Sequence, residues 1–388
     1  VSSQREHLLI NELDSLLSGK SMKKLSGIPK KCYKYALTAA FVNICNGKQL
    51  TRGQEGNFEW IYNIKNNPKN YNSDQVLNHV KRIVEKSLKE GYFYNYNDYQ
   101  TIDNIIKFFR EVINITKKQG TCLINLKELE ELFDIKKSFL ASHKNLQPHH
   151  WVEISLFNGM IITVPEFFTY SDLVNTWNML VDKIEEYRSV MNADNDVPFI
   201  EKKNNIEIRQ LRYEMDTLSR SLWISSVTFV ESYLYYVFYN LKQINYQPNS
   251  QSGKSILTLQ KVEDEEIIKR LIIPEFVSQK NKELDKLIKE YLVINKIRNR
   301  FIHTSAFKNT VEISELLPLL TTTVKETVDA LETCRKLVEC VDSYLPKENK
   351  ILIWWDRISH PNFKEFKKGS ITNPNSLLST VKYEDYVY

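Results

Sequence analysis

Apolar residues spaced three and four apart through the second half of this chain limit what it can fold into more than any other feature. Leu173, Trp177, Leu180, Ile184, Tyr187 and Met191 step by 4, 3, 4, 3 and 4, the interval that keeps side chains on one stripe of an α-helix. Leu211, Met215, Leu218, Leu222, Ser226, Phe229, Tyr233 and Tyr236 carry the same pattern in a longer helix. Leu317, Leu320, Val324, Val328, Leu331, Cys334, Val338, Val341 and Leu345 carry it in a last one, which Pro346 ends. Between them, Leu284, Leu287, Ile288, Tyr291, Ile294, Phe301 and Ile302 mark a helix predicted to start near Glu275. A shorter helix before it, about 257–272, is expected to stop ahead of Pro274, whose ring removes a donor. A strand places alternate residues on one face and does not fit this spacing, so long helices packed side by side are expected. Four successive helices over 205–345 make an up-and-down bundle the natural arrangement.

The first 165 residues read as a separate, α-rich region. A short helix over 5–19 carries Leu9, Leu13 and Leu16, and a second begins near Pro29 and stops at Asn46-Gly47. Residues 48–72 look turn-rich around Trp60-Ile61-Tyr62, and Ser73 looks like the N-cap of a helix bearing Leu77, Val80, Val84 and Leu88. Ile102, Ile105, Ile106, Phe109 and Ile113 predict another helix, and 125–142 a further one. Strands are expected only at 151–164. There Val152, Ile154 and Leu156 alternate with polar residues, Asn158-Gly159 offers a two-residue turn, and 160–164 returns. The expected class is therefore mainly α: an N-terminal domain 1–165 with a β-hairpin, a helical domain 166–346, and a polar C-terminal tail 347–388. The tail holds one short apolar run, 351–355.

Composition narrows the setting. Hydrophobic content of 42% and charged content of 26% over 388 residues describe a globular protein. No run of about 18 apolar residues predicts a membrane span, and no signal-peptide pattern opens the chain. Cys32, Cys45, Cys122, Cys334 and Cys340 are scattered and never form Cys-x-x-Cys, which points to a reducing cytoplasm without disulfides or structural zinc. Residues 1–150 hold 23 Lys and Arg against 15 Asp and Glu, a surplus of eight, where the whole chain carries +5. Such a half suits an anionic partner such as nucleic acid, or is simply a solvated lysine-rich surface.

Several local patterns carry no chemistry. Gly253-Lys254-Ser255 resembles the end of a phosphate-binding loop, but Pro248 stands where that loop needs its first glycine, and a helix precedes it where a strand is required. His143, His149 and His150 lack the cysteine or carboxylate spacing of a metal site, so no metal is expected and packing or exposed histidines are. The aromatic run 92–99 fits a packed tyrosine-rich loop better than a base-stacking surface.

The stripe on the third bundle helix is different, because the position that continues it between Ile294 and Phe301 is Arg298. A core-facing guanidinium must be paired or used. In Arg298-Asn299-Arg300-Phe301-Ile302-His303 the sequence resembles the HEPN superfamily (higher eukaryotes and prokaryotes nucleotide-binding). Nucleases of that superfamily carry Arg, four to six residues, then His, with a polar residue after the Arg. The resemblance covers 205–345, with the helix at 171–191 as a candidate addition. It implies a metal-independent, cofactor-free endoribonuclease with catalytic Arg298, His303 and Asn299, leaving 2′,3′-cyclic phosphate and 5′-OH ends. It also implies a toxin or phage-defence setting, an RNA substrate, a homodimer whose two motifs share one cleft, and a regulatory or antitoxin protein as a further partner.

The residue types suit that chemistry. Cleavage through the ribose 2′-OH needs a base, an acid and positive charge for the developing phosphorane. Imidazole titrates near neutrality, and a guanidinium matches phosphate oxygens. On a regular helix Asn299 and His303, four apart, share a face, whereas Arg298 and His303 point about 140° apart. Convergence of Arg298 and His303 therefore needs an unwound helix end or a second copy. Three other readings stand beside this one. Arg298 pairs with a bundle carboxylate such as Glu231 while His303 caps the helix; the domain is a non-catalytic nucleotide-, RNA- or partner-binding module; or it is the modified partner of a nucleotidyltransferase.

Overall fold

The computed structural model describes residues 2–45, 57–70, 72–90, 99–125, 128–129, 147–155, 159–193, 197–277, 281–302 and 321–371. The protein is mostly helical with one small antiparallel sheet. It divides into two compact units, one within 1–163 and one beginning at Val164. Among the described residues, no helix is long and apolar enough to cross a membrane.

In the first unit, α3 (Asn57–Asn66), α4 (Ser73–Glu90) and α5 (Tyr99–Gln119) pack around α2 (Gly27–Cys45), and α1 (Ser2–Leu17) packs on α5. Cys32, Tyr33, Ala36, Leu37, Ala40, Phe41 and Ile44 of α2 are all buried, and Phe41 stacks on Phe109 of α5 with ring centroids 3.9 Å apart. The α3 helix occupies part of the stretch the sequence marked as turn-rich. Its Phe58, Ile61 and Ile64, three apart, are its buried face. Ser73 is the first helical residue of α4. The cap is Asn72, whose Oδ1 accepts from the Gln75 N–H at 3.3 Å.

The sheet has three strands in the order β1 (Leu123–Asn125), β2 (Trp151–Ser155), β3 (Gly159–Thr163). Ser155 lies opposite Gly159 and Val152 opposite Ile162, so Gly159 belongs to the strand and the connection spans 156–158. Gly159 is therefore a strand residue and not half of the expected Asn158-Gly159 turn; residues 156–158 lie outside the described residues. Strand β1 sits just ahead of the helix predicted at 125–142, most of which lies outside the described residues. A third strand gives the hairpin the support that two strands alone lack.

The second unit is built on α6 (Pro165–Ala193), α7 (Ile206–Gln243), α8 (Lys282–Ile302) and α9 (Val324–Tyr344). Helix α7 packs against the other three, and α8 packs on α9. Its predicted stripe is buried at Leu211, Leu222, Ser226, Phe229 and Tyr233, but so are Trp223, Val227, Val230, Leu234 and Val237. A helix with neighbours on several sides buries more than one face. Asn205 caps α7, its Oδ1 accepting from the Glu207 N–H at 2.8 Å. A Thr323–Glu326 capping box starts α9, so Leu317 and Leu320 are not part of it and lie outside the described residues.

The path between α7 and α8 departs from the sequence reading. A helical stretch over 264–276 runs through Pro274, with a wide π turn at Ile268–Ile272. The Ile273 N–H reaches back to the Ile268 carbonyl, five residues away, shifting the bonding ahead of a residue that has no N–H to give. Helix α8 begins at Lys282, with the Asn281 Oδ1 accepting from the Glu283 and Leu284 N–H groups. Glu275 instead receives the N–H groups of Asn249 and Ser250, each at 2.8 Å. Gly253-Lys254-Ser255 lies inside the short helix Gln251–Leu257, capped by Ser250.

Residues 347–371, expected as part of a polar tail, are folded onto this unit. Ile351, Trp354 and Phe363 are fully buried. Trp177 Nε1 donates to the Lys367 carbonyl at 3.0 Å, and the Asn178 amide exchanges two bonds with Gly369 at 2.9 and 3.0 Å. Isolated bridges between Ser359 and Ser370 and between Asn362 and Lys367 close the segment into a strap.

Candidate functional site

The buried face of α8 is Leu284, Leu287, Ile288, Tyr291, Ile294, Arg298 and Phe301, the predicted stripe except for Ile302, which is 44% exposed. Arg298 is 9% exposed. One of its terminal nitrogens donates to a Glu231 carboxylate oxygen on α7, in an ion pair whose Glu231 side chain is 40% exposed. Burial pushes the Glu231 carboxyl above its ordinary value; Arg298 pulls it back, and the negative charge of Asp264 raises it further.

Asp264 ties this pair to a second layer. It accepts from the Tyr291 hydroxyl and, at 3.1 Å, from the Asn295 amide. Tyr291, Asn295 and Arg298 stand at intervals of four and three, one stripe of α8. Burial and the adjacent Asp264 hold the Tyr291 hydroxyl well above its ordinary value, so it stays a donor. The network is not saturated: among the described residues, Arg298 Nε and Asn295 Oδ1 are both buried without a hydrogen-bond partner. A guanidinium offers five N–H donors, and Glu231 takes up only part of that capacity.

Of the sequence-predicted residues, the two that are described face different ways. Asn299 is exposed, while its neighbour Arg298 faces α7. His303 lies outside the described residues, immediately after the last residue of α8. A groove of about 860 Å³ lies beside α8 towards α9, lined among others by Trp223, Val293, Ile297, Arg300, Ala330 and Lys336. Neither Arg298 nor Asn299 lines it.

Sequence reasoning named Glu231 as a partner for Arg298 but missed Asp264, Tyr291 and Asn295. The interval of polar-tipped residues on α8 was the available signal; Asp264 had none, because it lies beyond a connection whose path periodicity does not fix. His149 and His150 are both buried, with rings 4.1 Å apart, and His150 Nδ1 accepts from the Gln147 N–H at 3.0 Å.

Compared with family models, with curated proteins and with solved structures, the chain matches none.

Proposed function

We propose that this protein is a metal-independent endoribonuclease of HEPN type, with α6 to α9 as its helical bundle and Arg298 and His303 as its catalytic pair. The observation that carries the reading is the placement of Arg298: a permanent cation on a core stripe, one turn from the end of α8, with an unpaired Nε–H. His303 follows directly on the end of that helix. His303 moves the proton of the 2′-OH or of the leaving 5′-oxygen, Arg298 holds the phosphate, and Asn299 orients His303 or the phosphate. Because Asn299 and Arg298 face apart, the active unit in this reading is a homodimer in which two copies of the motif share one RNA-binding cleft. Control by a regulatory or antitoxin protein belongs to the same proposal.

A second reading is favoured by Glu231. Its carboxylate already holds the guanidinium, as expected if the domain only binds nucleotide, RNA or a partner and Arg298 serves to fasten α8 to α7.

One experiment separates them. Under the first reading, purified protein cleaves RNA in EDTA to cyclic-phosphate ends, and Arg298→Ala or His303→Ala lowers the rate by at least about 100-fold with unchanged circular dichroism. Unchanged cleavage in both variants, or RNA binding with no cleavage by the parent protein, decides against it.

A further inference from the structure

The first unit carries a small cleft that none of this chemistry uses. It has a volume of about 450 Å³ and lies between α3 and α4, near the lower end of small-ligand pockets, which run roughly 300–1,000 Å³. Trp60 of α3 forms one wall. The facing wall is the first turns of α4, where Gln75, Asn78, His79 and Arg82 stand at intervals of three, one and three, all exposed, above the buried Val76. That spacing is one stripe of a helix. His79 meets the indole edge-on, ring centroids 4.8 Å apart and planes at 89°, so the Trp60 ring is held in a defined orientation.

The polar groups of this cleft are unspent. Among the described residues, no hydrogen bond or ion pair engages the Arg82 guanidinium or the Gln75 and Asn78 side-chain amides. The neighbouring Lys81, by contrast, is directed to Glu85 on the same helix at 3.7 Å. An aromatic platform, two amides that can each both donate and accept, and a permanent cation one turn further on match the parts of a nucleotide in order. The indole stacks on a base, the amides read its edge, and the guanidinium takes the phosphate. The half of the chain that holds the cleft also carries the surplus of eight positive charges, which draws a polyanion towards it.

We propose that this cleft is a nucleotide-binding site that takes one base and its phosphate from single-stranded RNA. It does not depend on the ribonuclease reading and stands or falls by binding alone.

The test is fluorescence anisotropy with the full chain and a labelled, 2′-O-methylated oligoribonucleotide of about ten nucleotides, the span of a single-strand site. This probe has bases and phosphates but no 2′-OH, so cleavage cannot affect the signal. Trp60→Ala and Arg82→Glu should each weaken binding about tenfold, while Trp60→Phe stays within about threefold of the parent. Lys81→Glu makes the same charge change beside the cleft and should also stay within about threefold. Gln75→Ala, at an exposed position, gives a variant whose fold is not in question and should weaken binding several-fold.

Adenosine 5′-monophosphate that displaces the probe, with the same sensitivity to Trp60→Ala, supports the site with a free nucleotide as sufficient ligand. Failure to displace it, with oligonucleotide binding intact, supports the site as one that needs the strand. No binding by the parent protein, parent-like affinity in both Trp60→Ala and Arg82→Glu, or an equal loss in Lys81→Glu overturns the proposal.

Discussion

Arg298 is almost out of water, and its partner Glu231 is not. Removing the charge of Glu231 would leave a guanidinium that cannot deprotonate facing a neutral amide. Glu231→Gln should therefore cost about 1–3 kcal/mol in urea unfolding, less than a fully buried pair because the carboxylate side is partly solvated. Arg298→Met combined with Glu231→Gln should cost less than the sum of the two single changes, since the double variant strands no charge. A second residue-scale expectation concerns His360. Its Nδ1 lies 2.7 Å from the Tyr170 hydroxyl and its Nε2 3.1 Å from the Trp355 carbonyl. Burial holds it below its ordinary value of 6.5. The neutral ring is thus the folded form, and its contribution is present above pH 6.5 and lost as pH falls through the lowered value. Denaturant midpoints should drop between about pH 7.5 and pH 5, and the drop should be smaller in His360→Asn. At this scale the sequence showed a good deal: a lone arginine on an apolar stripe had to be paired or used, and one of the readings named Glu231, the carboxylate it meets.

Whole elements were legible where one face repeats and illegible where contacts are irregular. Helices α6, α8 and α9 follow their stripes because each presents one apolar seam. The strap over 347–371 has no period to read. It is held by rings: Phe363 lies edge-on to Trp177 at 5.0 Å, and Trp354 edge-on to Phe167 at 5.1 Å. The Arg335 guanidinium lies over the Phe363 ring at 5.4 Å. Phe363→Ala should accordingly cost about 3–5 kcal/mol, the loss expected of a buried core aromatic and not of a residue in a loose tail; a midpoint within error of the parent would remove the strap from the core. Strand β1 was missed because three residues cannot display an alternation, and the π turn because its sequence is that of an ordinary helix.

At the scale of the molecule, the division near Val164 separates two units, each with its own buried residues. A fragment over 164–371 should unfold in one cooperative transition by circular dichroism, whereas ending it at Pro346 should abolish that transition by stripping away the strap. Function was less legible than fold at this scale, because the motif residues Arg298 and Asn299 face apart and only a second copy or an unwound end would bring such groups to one phosphate. The strap also sets a schedule. Trp177 and its partner Lys367 are 190 positions apart, and translation adds about 5–20 residues each second. A newly made chain therefore spends roughly 10–40 s with the Trp177 side of α6 uncovered before its closing piece exists. A chain that ends short of the strap would keep that face of α6 uncovered, since its closing partner would never be made.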